Sequence, residues 1–164
     1  MSVRIITDST ADLSEELLKQ YHIDVIPLHV HLAEDEYKDG VDITPDEIYA
    51  WSDTNKITPK TAAPSITDVM DVFARFPEDE IVSFCISESM STSGNVMRLA
   101  AEELDRSDCT YVINSQNLST GIGHLVIEAA IMAEEGKSAQ EIAQAMEDLI
   151  PRVRASFVVD TLVY

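Results

Sequence analysis

Ile81-Val-Ser-Phe-Cys-Ile86 runs straight into Ser87-Glu-Ser-Met-Ser-Thr-Ser-Gly94, and a helical pattern from Asn95 to Leu104 follows at once. The apolar run reads as a buried strand, the middle stretch as a hydroxyl-rich turn. A strand that ends this way and feeds a helix gathers free backbone N–H groups, side-chain O–H groups and a positive dipole end. Such a junction can receive a small anionic oxygen group, such as a carboxylate or a phosphate. Strand-to-helix junctions are common, so this one marks a site without naming its ligand.

The same unit recurs on either side. Val3-Arg-Ile-Ile-Thr7 reads as a first buried strand, closed by the turn Asp8-Ser-Thr-Ala. Asp12 is placed to cap a helix reaching Tyr21, with Glu15 completing a capping box. Ile23 to Leu32 reads as a second strand in which Pro27 marks an edge or a bulge. Asp39-Gly40 is a turn dipeptide. Thr44-Pro45-Asp46-Glu47 is a strong helix start, and a loop from Thr54 to Pro64 follows. Ser65 caps a helix whose Ile66, Val69, Met70, Phe73 and Phe76 share one face.

Beyond the central unit, Thr110 to Ile113 reads as a fourth strand and Asn114 to Gly123 as another polar turn. The helix from about Ser119 to Glu134 is apolar on most sides and should be central. Ser138 and Glu141 open an amphipathic helix ending near Pro151, and Val153 to Val159 reads as one more strand. Strands separated by helices argue for an α/β fold, a three-layer sandwich with a mainly parallel sheet flanked by helices. In such sheets ligands sit beyond the carboxyl ends of the strands. Those ends are Asp8-Ser9-Thr10, Ser87 to Ser93, and Asn114 to Ser119. Three hydroxyl-bearing turns should therefore meet at one rim.

Bulk properties narrow the classes. The chain has 164 residues, 45% of them hydrophobic, enough for one compact domain with a full core. Its formal charge of −19, from 11 basic and 30 acidic side chains, repels phosphate backbones and disfavours a nucleic-acid partner. No apolar run is long enough to span a bilayer, and the start lacks a signal-peptide layout, so a cytoplasmic location is expected. Cys85 and Cys109 match no zinc or redox spacing and read as reduced packing residues. No metal site and no cofactor are implied.

Taken together and in order, these turns resemble the DegV family of bacterial fatty-acid-binding proteins. Thr7-Asp-Ser-Thr-Ala-Asp-Leu13 is similar to that family's opening strand and turn, and Tyr37-Lys-Asp-Gly-Val-Asp42 to its hairpin segment. Thr61-Ala-Ala-Pro-Ser65 corresponds to its Thr-Ser-Gln-Pro-Ser loop. Ile86 to Asn95 resembles its Ile-Ser-Ser-x-Leu-Ser-Gly-Thr-x-Gln stretch. Asn114-Ser115, Ser119 and Gly121-Ile-Gly123 match its Asp-Ser...Ser-x-Gly-x-Gly turn.

The resemblance implies the EDD fold, in which an α/β N-terminal domain is joined to a smaller α/β domain with a long-chain fatty acid between them. It also implies a non-catalytic role, and a separate fatty-acid kinase as a partner for some members. By position, Thr61 and Ser91 would hold the carboxylate, with Ser93 in support. Ser9, Thr92, Gly94 and Ser119 would stand on the pocket rim. Three departures bear on the head-group site: Ala62-Ala63 replaces Ser-Gln, Ser91-Thr92-Ser93 replaces Ser-Gly-Thr, and Asn114 replaces Asp. On this reading residues 1–164 are the N-terminal domain and the family's C-terminal domain is missing. Weakened or no lipid binding, and self-association through the uncovered face, are expected.

The residues also leave rival readings. No G-x-x-x-x-G-K-[ST], G-x-G-x-x-G or G-x-S-x-G motif is present, which disfavours the usual nucleotide loops and an α/β-hydrolase. A phosphocarrier-type domain would need a histidine at the rim, and His124 is the candidate beside Gly123. His29 and His31 alternate within a strand and share a face, half a metal site at most; a solvated edge strand accounts for them. Ser65 and Ser119 read as helix caps ahead of ligands.

Overall fold

The computed structural model describes residues 2–159. Strand β1 (Val3–Asp8) lies inside a four-stranded parallel sheet of order β2-β1-β6-β7, with β2 Asp24–Ile26, β6 Glu80–Cys85 and β7 Thr110–Asn114. Central position explains the apolar runs, since β1 and β6 are covered on both faces. A second, antiparallel sheet has the order β4-β3-β5, from β3 His29–Leu32, β4 Asp35–Lys38 and β5 Lys60–Ala62.

Helices cover both faces of the parallel sheet. On one face α3 (Ile66–Phe73) and α4 (Ser93–Glu103) bury Val69, Phe73 and Met97 against Ile6, Ile26 and Ile81. On the other, α5 (Thr120–Glu134) and α6 (Ala139–Leu149) pack Ile122, Val126, Ile142 and Met146 on Val82 and Phe84. These are the three layers expected of an α/β sandwich. Helix α1 (Glu15–Gln20) follows β1, and α2 (Pro45–Asn55) lays Ile48 and Trp51 on Val30 and Leu32 of the small sheet. The reciprocal capping expected at Thr44 and Glu47 is present, as it is at Ser138 and Glu141.

Several expectations are corrected. Asp12 caps no helix: Ser9–Ala11 form a 3-10 turn, Asp12 turns left-handed at φ 51, and Ser14 accepts the Leu17 N–H to start α1. The extra turn shifts the helix start by two residues. The stretch Ile23 to Leu32 is two strands in two sheets. Pro27 has no N–H to extend the ladder, and the Leu28 N–H is spent on Ser9 Oγ at 3.1 Å. As a result β3 is the centre of its sheet, not an edge holding solvated histidines.

The loop expected from Thr54 to Pro64 contains β5, a polar, exposed strand without the apolar alternation that would announce it. The strand expected over Val153 to Val159 does not form: this stretch carries no regular secondary structure.

Candidate functional site

Hydrogen bonds tie the three turns at the carboxyl edge of the parallel sheet into one rim. Asp8, fully buried at the end of β1, accepts the Ile86 N–H at 2.8 Å on one oxygen. Its other oxygen accepts the Thr10 N–H at 3.2 Å and the Thr10 hydroxyl at 2.5 Å. Burial pushes this carboxyl above its ordinary 3.8, against the pull of those Thr10 and Ile86 bonds. The second and third turns are joined in the same way. Ser87 N–H donates to the Asn117 carbonyl at 3.0 Å, and Glu88 N–H to Asn114 Oδ1 at 3.2 Å. Asp8, Asn114 and Asn117 are therefore the residues that assemble the rim. Asp8 and Asn114 do so through side-chain oxygens at strand ends and Asn117 through its main-chain carbonyl, a pattern otherwise indistinguishable from local turn-making.

Ser91, Thr92, Ser93 and Gly94 form the start of α4. Ser91 Oγ lies 2.8 Å from Ser93 Oγ and accepts the Ser93 N–H at 3.2 Å. Ser93 is fully buried, Ser91 half-buried and Thr92 exposed. Thr92 occupies the N-cap position of α4, yet its side chain makes no capping bond. Gly94 is required by close packing: a Cβ there would stand 2.6 Å from Glu88 Oε1 and 2.9 Å from Cys85 Sγ. The Glu88 carboxylate is itself neutralised at the mouth by Arg98 at 2.6 Å.

Ser119 holds the matching place before α5, at the strained φ of 54 and again without a side-chain cap, so its expected capping role is corrected. The remaining four α-helices among the described residues are each closed by a hydroxyl, from Ser14, Thr44, Ser65 and Ser138. In the two helices that begin on the rim the N-cap side chain makes no such bond, and in α4 the Ser93 N–H goes instead to Ser91 Oγ. Uncapped donors at a positive dipole end can bind an anionic oxygen.

The other candidates stand apart. Ser9 spends its hydroxyl oxygen on Leu28 N–H and links the first rim turn to the small sheet. Thr61 is exposed in β5, opposite Val30 in the ladder, and no hydrogen bond among the described residues joins it to Ser91 or Ser93. It does lie four residues before Ser65, which caps α3, and α3 and α4 pack side by side. His124 is exposed on α5, beside Leu149 and Arg152 at the α6 side. His29 pairs with Glu36 and Asp68, not with a metal-binding set. Burial pushes the Cys85 thiol up to about 12, which leaves it protonated and unreactive at neutral pH.

Beside the first turn opens a cavity of about 500 Å³ with Leu13, Leu18, Val25 and Val41 among its walls. Asp12, Glu15 and Asp39 interleave with them, so this is a mixed cleft and not a sealed apolar tunnel.

A mainly parallel sheet with helices on both faces and hydroxyls clustered at its carboxyl edge defines an α/β domain whose candidate site lies at that edge. The chain belongs to the DegV family, whose family model, described as "Uncharacterised protein, DegV family", matches residues 2–164. A DegV domain-containing protein of Caldanaerobacter subterraneus is 35% identical over 164 residues, covering 99% of this chain and 58% of that protein. The chain thus spans little more than half the length of the curated relative. Among solved structures, a fatty-acid-binding DegV family protein from Thermus thermophilus superposes with a TM-score of 0.83 at 32% identity. The match covers 92% of this chain and 54% of that one. A stearic-acid-binding protein from Eubacterium ventriosum gives 0.79 at 31%, over 89% and 52% of the two chains.

Proposed function

We propose that this chain binds a long-chain fatty acid and supplies the half of the site that receives the carboxylate. The observation that supports the reading is the pair of α-helix starts on the rim, at Thr92 and Ser119, whose side chains make no capping bond while the other four α-helices among the described residues are hydroxyl-capped. The roles we assign are Thr61, Ser91 and Ser93 as head-group ligands, with Ser9, Thr92, Gly94 and Ser119 around the mouth. A carboxylate taken out of water costs several kcal/mol unless its oxygens are satisfied. Each hydrogen bond to the ionised group returns about 1.5–3 kcal/mol, so two hydroxyls and two or three amides can offset that cost without a lysine. In a chain of formal charge −19 that economy of cations matters. The tail would supply most of the affinity, at about 0.8 kcal/mol per buried CH₂.

The relatives are longer than this chain, so we assign the second wall of the tail site to the remainder of the family's length. Met90 and Leu118, exposed on the rim loops, would then lie under that second half. Left open, the same face would promote self-association. The reading extends to presenting the bound carboxylate to a separate fatty-acid kinase, and assigns the chain binding, not catalysis.

The test is native mass spectrometry with palmitic acid, on the chain joined to the second half of the Thermus thermophilus relative. Thr61→Ala and Ser91→Ala are each expected to weaken retention by roughly tenfold or more. Palmitate held equally well by both variants would remove the head-group assignment.

A further inference from the structure

The small sheet carries Thr61 but shares no ladder with the parallel sheet. One of its faces is closed by α2. From the other, His29 and its cross-strand neighbour Lys38 both reach Asp68 in the first turn of α3. His29 Nε2 lies 2.9 Å from Asp68 Oδ2, and Lys38 Nζ lies 2.6 Å from Oδ1. Ser65, the N-cap of α3, also donates to Oδ2, and its own hydroxyl oxygen accepts the Asp68 N–H at 3.1 Å. Asp68 is 8% exposed, and His29 Nδ1 on the far side of the ring meets Glu36. Both ring nitrogens therefore face carboxylates, and only an imidazolium can donate to both.

We propose that Asp68 is a positioning residue that clasps the small sheet, and with it Thr61, to the mouth of α3, and that the clasp is complete only while His29 is doubly protonated. Its consequence for ligand binding rests on the reading of Thr61 as a head-group ligand; the clasp itself does not. The charged groups around His29 are Glu36 and Lys38 on β4 and Asp68 on α3. Lys60 sits on β5 opposite the neighbouring His31, and Asp42 and Asp71 act on Lys38. Burial lowers the His29 value, but bonds and charges from Asp68 and Glu36 overcome it, so the ring is held above its ordinary 6.5. Burial likewise opposes ionisation of Asp68, but Lys38, Ser65 and His29 hold it well below the usual carboxylate range.

The signs follow. The His29 contribution is fully present below its unfolded value and is lost as pH rises through its folded value. The Asp68 contribution survives into strong acid. Lys38 stays bound at high pH, so alkali loosens the small sheet without detaching it.

Amide hydrogen exchange on the whole chain tests this, with the His29 ring followed by NMR. Asp68→Asn is expected to speed exchange over His29–Leu32 by roughly tenfold or more while Ile81–Cys85 stays protected. In the wild type, protection of β3, corrected for intrinsic exchange, should step down as His29 deprotonates; in His29→Gln that step should vanish. If Asp68→Asn does not fold, His29→Gln decides alone, because it leaves the Lys38 and Ser65 bonds in place. A uniform loss across both sheets, or a pH step that persists in His29→Gln, overturns the clasp. Palmitate retention unaffected by Thr61→Ala, with the exchange results as expected, removes the ligand reading and leaves the clasp standing.

Discussion

Gly94 shows how a single residue sets the rim. Its φ is ordinary for a helix, so the requirement is space, with Glu88 on one side and the buried Cys85 sulfur on the other. Glu88 can swing away, at the expense of its ion pair with Arg98, but Cys85 sits in a packed strand and cannot. Gly94→Ala is therefore expected to destabilise the chain by about 1–3 kcal/mol. Urea unfolding would read this as a lower midpoint with unchanged slope. An unchanged midpoint would mean that α4 can shift, and that the rim is softer than its hydrogen bonds indicate. Asp8 makes the complementary point. Its carboxylate is buried not for chemistry but to bond donors from two strand ends, a reach across 78 residues that no local pattern displays.

At the scale of elements, the difference between capped and uncapped helices can be measured. Ser138→Ala removes the hydroxyl side of a capping box, leaving the backbone N–H of residue 138 on the Glu141 carboxylate, and is expected to cost about 1 kcal/mol. Thr92→Ala removes a hydroxyl that caps nothing and should fall within about 0.5 kcal/mol of wild type. Equal losses at the two positions in thermal or urea unfolding would show that Thr92 caps α4 in solution. The elements that were legible in the sequence are those whose own residues carry the signal. Ile81 to Ile86 is apolar because it is central, and Thr44 and Ser138 are followed by glutamates at the spacing the box needs. The illegible ones owe their structure to a neighbour. Strand β5 exists because β3 offers an open edge, and the break at Pro27 changes sheets because Ser9 takes the next N–H. At the candidate site, the hydroxyl-rich turns could be read directly, whereas Asp8, Asn117 and the Asp68 clasp act through long-range bonds. Ser119 departs from its expected capping role because a capping serine has an extended backbone, and here φ is 54.

For the whole molecule, the dominant electrostatic fact is an excess of acid that local pairing cannot cancel. With 30 acidic side chains against 11 lysines and arginines, one-to-one pairing would still leave 19 carboxylates without a lysine or arginine partner. The ion pairs present, such as Arg4 with Asp79 and Lys38 with Asp68, favour the fold and are weakened by salt. Self-repulsion among the surplus disfavours the fold and is also weakened by salt. The two effects oppose each other, and the count decides between them. Exposed pairs contribute about 0–1 kcal/mol each and are few, while the surplus acts over the whole surface. Raising sodium chloride from low salt to about 0.5 M should therefore raise the melting temperature, because the screening length contracts from tens of ångströms to a few. The gain should be roughly 2–4 °C for each kcal/mol of repulsion relieved, for a chain of this size. Scans at two protein concentrations separate this from self-association through the rim, which would make the midpoint depend on concentration. A midpoint that fell with salt would show that the paired minority of charges, the Asp68 clasp among them, outweighs the unpaired majority.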